Sequence, residues 1–186
     1  MIVALREFID ILIMTVAVGY IFMDFFRLKR DTPGFSWNQL GLACLVTAPA
    51  LIAHELAHKF TALAFGLEAV FHAAYTWLGI GIALKLVQSP FIFFVPGYVS
   101  IQCAAQPCSI APLVSALIAF AGPLLNLALY LVAKLITTQH LARTRRWLFF
   151  WILTQRINGF LFILNMLPIP GFDGYTVYRG LWQAFF

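Results

Sequence analysis

Four stretches of the chain are almost wholly apolar, and each is long enough to cross a bilayer as a helix, which takes about 20 such residues. They run from about Phe8 to Phe26, Gln39 to Phe65, Ile110 to Ile136 and Trp147 to Leu167. "RLKRDTPG" separates the first two and "TTQHLARTRR" the last two; both are basic. Gly66 closes the second stretch, where a helix stop is expected.

Residues 67–109 divide less cleanly. "YTWLGIGIALKLVQSPFIFFVPGYVSIQ" is apolar enough for the membrane, but Lys85, Gln88, Ser89, Pro90, Pro96 and Gly97 interrupt it. Its β-branched and aromatic content suits strands or a re-entrant hairpin as well as a helix. After Gly174, "YTVYRGLWQAFF" is too short to cross. Tyr175, Tyr178, Arg179 and Trp182 are of the types that anchor at a membrane interface. The expected fold is an α-helical polytopic membrane protein: four full transmembrane helices plus a membrane-embedded hairpin or re-entrant segment. Residues 1–186 read as a single integral-membrane domain, without internal repeat or low-complexity segment.

Composition agrees with that pattern. Charged residues make up 10% of the chain, against about 25% in a soluble domain, and 62% is hydrophobic. The net charge of +5 sits in short clusters between apolar runs, not in a basic stripe, so nucleic acid is not an expected partner. Three cysteines make no disulfide framework; Cys103 and Cys108 could pair if their loop faces an oxidising side, but two free thiols are the preferred expectation. Arg6, Glu7 and Asp10 stand at the start of the first apolar run with no clear small-residue cleavage site after it, so that run reads as a retained helix, not a signal peptide.

The stretch "ALIAHELAHKFTALAFG" changes the picture. Ionisable residues within a membrane helix cost about 2.5–3.5 kcal/mol each even on the lenient insertion scale, and they usually have a function. His54 and His58 stand at i and i+4, on one helical face, where their imidazoles can share a metal ion. Glu55 stands beside the first histidine, within reach of a metal-bound water. This is the HExxH arrangement, in which histidines hold zinc and the glutamate is the general base. A third protein ligand is then required. Ala64 occupies the place of the third histidine in HExxHxxGxxH enzymes. Glu68, His72, His140 and the remaining acids are the candidates. Asp173 stands out among them, in "PIPGFDG" after an apolar run, although Asp-Gly is also a common solvated turn.

Together these residues resemble the site-2 protease family of intramembrane zinc metalloproteases. "HELAHKFTALAFG" resembles its HExxH helix, with Ala62 and Gly66 following at spacings of four. "AGPLLNL" resembles its Gly-Pro-x-x-Asn helix at Gly122, Pro123 and Asn126. "NMLPIPGFDG" is similar to its Asn-x-x-Pro-x-Pro-x-x-Asp-Gly element at Asn165, Pro168, Pro170, Asp173 and Gly174, with Phe172 where the family often has Leu. The resemblance covers about residues 39–175. It is to a minimal core, without PDZ or CBS domains.

The resemblance implies that His54, His58 and Asp173 hold Zn²⁺ and that Glu55 is the catalytic base. Asn165 would hold the substrate or the developing oxyanion. Gly122 and Pro123 would serve packing, and Asn126 would bond a neighbouring helix. With the composition of 76–101, the resemblance favours a strand edge there, beside the active site, that would receive the unwound substrate, over a re-entrant loop that only packs around the zinc. The implied partners are a single-span membrane-protein substrate and the lipid bilayer, and the implied location is the cell membrane, as a multi-pass protein.

Two rival functions fit less well. A transporter or channel would show repeat symmetry or matched broken helices. A catalytically silent relative that only binds membrane proteins could lose Glu55 at no structural cost, yet Glu55 is present.

Parity adds a constraint. Asp173 reaches the side of His58 only if 76–101 does not cross the membrane. The same parity puts Arg27, Lys29 and Arg30 with Arg143, Arg145 and Arg146 on the opposite side. The positive-inside rule makes that side cytoplasmic. The resemblance makes the active-site side cytoplasmic instead.

Overall fold

The computed structural model describes residues 4–26, 34–89, 95–102 and 110–186. Arg27, Lys29, Arg30, Cys103 and Cys108 lie outside them, and with them the expected basic cluster and the two cysteines expected as free thiols rather than a pair. The elements run α1 (Leu5–Phe22, continued by a 3₁₀ turn, Met23–Phe26), α2 (Trp37–Ala64), β1 (Glu68–Ala73), α3 (Tyr75–Leu86), β2 (Gly97–Gln102), α4 (Pro112–Thr138), α5 (Arg145–Asn165) and α6 (Asp173–Phe185). Four helices, α1 with its 3₁₀ turn, α2, α4 and α5, are long and apolar enough to span a membrane, the mark of a multi-pass integral membrane protein. Their limits fall within a few residues of those expected from the apolar runs.

α4 illustrates why such helices suit lipid. Leu113, Leu117, Leu124, Leu131 and Leu135 line an exposed face. Most of the buried positions are small or polar, Ala116, Ala119, Gly122, Asn126 and Ala133, with Ile118 and Pro123 the exceptions. Lipid takes the large apolar side chains, and small residues let helices approach one another closely.

The segment expected as a strand edge divides in two. Tyr75–Leu86 is helical, and only Gly97–Gln102 is extended. The reason is local: Leu78, Ala83, Leu84 and Leu86 are good helix formers, whereas the β-branched and aromatic residues concentrate beyond Pro90. α3 has 12 residues, about 18 Å at 1.5 Å each, and cannot cross a core of about 30 Å. β1 was not expected from the sequence. It pairs with β2 in a two-stranded sheet. The Ala74 amide donates to the Pro96 carbonyl at 3.2 Å, and the Ser100 hydroxyl donates to the Val70 carbonyl at 3.3 Å, so the strands run antiparallel.

The chain forms two compact units. The first comprises residues 1–51 and 71–98. Here Glu7 and Asp10 of α1 are buried, at 3% and 1% exposure, and they face the outer edge of β1. Glu7 accepts from the Phe71 amide at 2.8 Å, and Asp10 accepts from the Ala73 amide at 3.3 Å and from the Tyr75 hydroxyl. Lys85 caps the end of α1: its ammonium donates to the Tyr20 and Ile21 carbonyls and pairs with Asp24 at 3.1 Å.

The second unit comprises residues 52–70 and 99–186. Ala62, Ala69 and Ile118 form a buried apolar cluster, with Leu67, Val99, Ile101 and Val114 packed against it. α4 packs along α5 and α6. Gly66, in the left-handed region at φ 75°, closes α2 as expected. The Leu67 amide reaches back to the Ala62 carbonyl at 3.1 Å, a Schellman closure.

Candidate metal centre

Residues 52–64 of α2 together with α4, α5 and α6, all in the second unit, build the site. α2 carries His54 and His58 one turn apart, with Glu55 beside them, and all three are buried. Their rings meet edge to face, with centroids 4.6 Å apart. α6 begins at Asp173. Its first turn presses on the end of α5: a Cβ on Gly174 would come within 2.6 Å of the Met166 carbonyl oxygen. Only glycine permits that approach, which is the role of the Asp-Gly pair. The Tyr178 hydroxyl donates to the same carbonyl at 3.0 Å. α6 is also held to α4, since a Cβ on Gly180 would meet the Pro112 carbonyl oxygen at 2.6 Å. Asp173 is thereby fixed facing the histidines.

The donor atoms converge. His54 Nε2 and His58 Nε2 are 3.0 Å apart. Asp173 Oδ2 is 3.0 Å from the first and 3.3 Å from the second. Nitrogen and oxygen ligands at ~2.0–2.1 Å from one tetrahedral ion lie about 3.3 Å from each other, close to these separations. Both Nδ1 atoms are already committed: His54 Nδ1 to Asn126 Oδ1 at 2.6 Å, and His58 Nδ1 to the Ile118 carbonyl at 2.7 Å. The acceptor at each Nδ1 puts the proton there and turns the Nε2 lone pairs inward, as at histidine metal ligands generally. Two lone pairs and a carboxylate crowded together repel unless a metal ion or a shared proton joins them.

Gly122 leaves the room. A Cβ there would strike His58 Nε2 and come within 2.7 Å of His54 Nε2. The expectation of packing at Gly122 is thus refined: what packs against it is the pair of imidazole Nε2 atoms. Asp173 adds a carboxylate to the two imidazole nitrogens, and these are donor types that zinc takes. The donor set can therefore chelate a metal ion. Among the described residues, Glu68, His72 and His140 do not join it. His72 instead faces Asp10, at 4.0 Å, and Tyr98.

A protein of Methanocaldococcus jannaschii whose name assigns it, by inference, as a zinc metalloprotease is 35% identical over 182 residues, covering 97% of this chain and 86% of its own length. The chain belongs to this zinc-metalloprotease family. No protein-family profile matches it, and no solved structure does.

Two other features of this metalloprotease-family chain bear on the site. Asn165 is the last residue of α5 and is half-buried. Asn158 went unnoticed in the sequence. It is buried, and its Oδ1 accepts from Asn126 Nδ2 at 2.8 Å. The signal was present: an amide in an apolar run has the same burial penalty that drew attention to His54.

Proposed function

We propose that the protein is an intramembrane zinc endopeptidase that hydrolyses peptide bonds in or near the transmembrane segments of single-span membrane proteins, in the manner of the site-2 proteases. The observation that carries this reading is the convergence of His54, His58 and Asp173 beside a buried glutamate, on a helix of membrane-spanning length. The family relationship supports the zinc chemistry.

Zinc held by these ligands would polarise the scissile carbonyl and make an attacking water more acidic. Glu55 takes the water proton and later passes it to the leaving amine. The Asn165 amide donates to the oxyanion as the carbonyl becomes tetrahedral. Asp173 keeps 24% of its side-chain surface exposed, so water and substrate approach from its side.

A helical substrate must unwind, and in lipid its freed backbone groups need new partners. A sheet edge supplies them by strand addition. The outer edge of β1 is taken at Phe71 and Ala73 by Glu7 and Asp10. Among the described residues, β2 pairs with β1 alone, so its outer edge is the one proposed to receive substrate. The segment from α3 to β2 is proposed to enter and leave the membrane on one side, at the cell membrane's active-site face.

The test is direct. The detergent-solubilised protein should cleave single-span test substrates. A zinc chelator should stop cleavage, and added zinc should restore it. Cleavage that persists in full without metal would overturn the proposal, and metal-independent ion flux in vesicles would favour a transporter. Asn165→Ala should keep metal and thermal stability while slowing cleavage on the order of 10²–10³-fold, the usual loss for one oxyanion donor. A wild-type rate in that variant would remove Asn165 from the mechanism.

A further inference from the structure

His54 is oriented by a path that continues past Asn126. The Thr154 carbonyl of α5 can only accept. Asn158 must therefore offer it Nδ2, which it does at 2.9 Å. That turns Asn158 Oδ1 toward Asn126, which must offer its own Nδ2, at 2.8 Å. Asn126 is left with Oδ1 for His54 Nδ1, at 2.6 Å, and that nitrogen must carry the proton. Each assignment follows from the one before, and the first is set by the backbone of another helix. Asn126 and Asn158 are 0% and 1% exposed, so bulk water does not stand in for either amide.

We infer that Asn158 is a positioning residue for the metal centre: through Asn126 it fixes the tautomer of His54, keeping the Nε2 lone pair turned toward His58 and Asp173. Without the Asn158 oxygen, Asn126 loses the acceptor that holds its Nδ2 away from His54. Asn126 then flips and presents Nδ2 to His54. The ring answers by moving its proton to Nε2, where it obstructs a metal ion. His58 is fixed separately, by the Ile118 carbonyl, and serves as an internal control.

The inference rests on the metal reading, and the experiment keeps the two apart. Zinc affinity of the full chain in detergent is measured by competition with a chelator. Nitrogen-15 spectra of its histidines, taken metal-free at a pH where the rings are neutral, report which nitrogen carries the proton. Asn158→Ala should weaken zinc binding by the ~10–100-fold typical of losing an outer hydrogen-bond partner of a ligand. It should also move the His54 proton toward Nε2 while His58 stays unchanged.

Asn158→Asp still offers Asn126 an oxygen but loses the bond to Thr154. It should melt at a lower temperature yet keep the tautomer, with zinc affinity within a few-fold of wild type. Wild-type affinity and tautomer in Asn158→Ala would overturn the inference. So would affinity falling in step with melting temperature in both variants, since that marks a structural role alone. If Asn158→Ala does not fold, a His54 protonated on Nε2 in the wild type or in Asn158→Asp overturns it equally. A wild-type chain that binds no zinc but keeps His54 protonated on Nδ1 would sink the metal reading and leave the relay standing.

Discussion

Glu55→Gln should retain zinc at the wild-type level while cleavage of a single-span substrate falls by about 10²–10⁴-fold, the contribution of a general acid–base group. The substitution keeps the size and burial of the side chain and removes only its ability to take a proton. Glu55 is buried beside His54 without belonging to the chelating group, so metal content should not follow activity. Elemental analysis and a cleavage assay on the same preparation read both. Undiminished cleavage would place the base elsewhere. If wild type and variant were equally inert toward every substrate tried, while both bound membrane proteins, the silent-relative reading would take over.

The opposite pattern is expected at the ligands. His54→Ala, His58→Ala and Asp173→Ala should each lose metal and activity together. Zinc affinity should drop by more than the ~10–100-fold seen on losing an outer partner of a ligand. Asp173→Ala is the most informative, because its ligand role was the least evident from sequence. Full zinc in that variant would show that the carboxylate only balances charge. It would also remove the constraint that keeps the segment between α3 and β2 from crossing the membrane, since that constraint depends on Asp173 sharing an ion with His58.

The sequence displayed its long helices because a bilayer-spanning run is a one-dimensional signal: hydropathy summed over neighbours locates it. Gly66 was legible for the same reason, as a local backbone requirement. His54, Glu55 and His58 were legible because their spacing and burial penalty both lie within one helix. β1 and α6 were not foreseen as elements. β1 is short and ends against carboxylates of α1, and those contacts are invisible along the chain. Glu7 and Asp10 looked like a polar flank to the first span, yet their partners make them interior. The division of 75–102 into helix and strand was blurred by averaging composition over the whole segment. Asn158 escaped for a different reason. Its partner Asn126 lies on another helix, and only the folded unit shows that two isolated amides form one line of hydrogen bonds ending on a ligand.

The placement of the three proposed ligands has a consequence for biosynthesis. Two come from α2, but the third waits until α4 and α5 have been made and threaded. Joining residue 58 to residue 173 closes a long loop, whose entropic cost is met only once the intervening helices have packed. On the proposed chemistry, a ribosome-bound chain displaying α2 carries the base and two histidines but no complete chelate. Hydrolytic power then arrives together with the finished bundle, and the half-inserted chain passes through the translocation machinery unarmed.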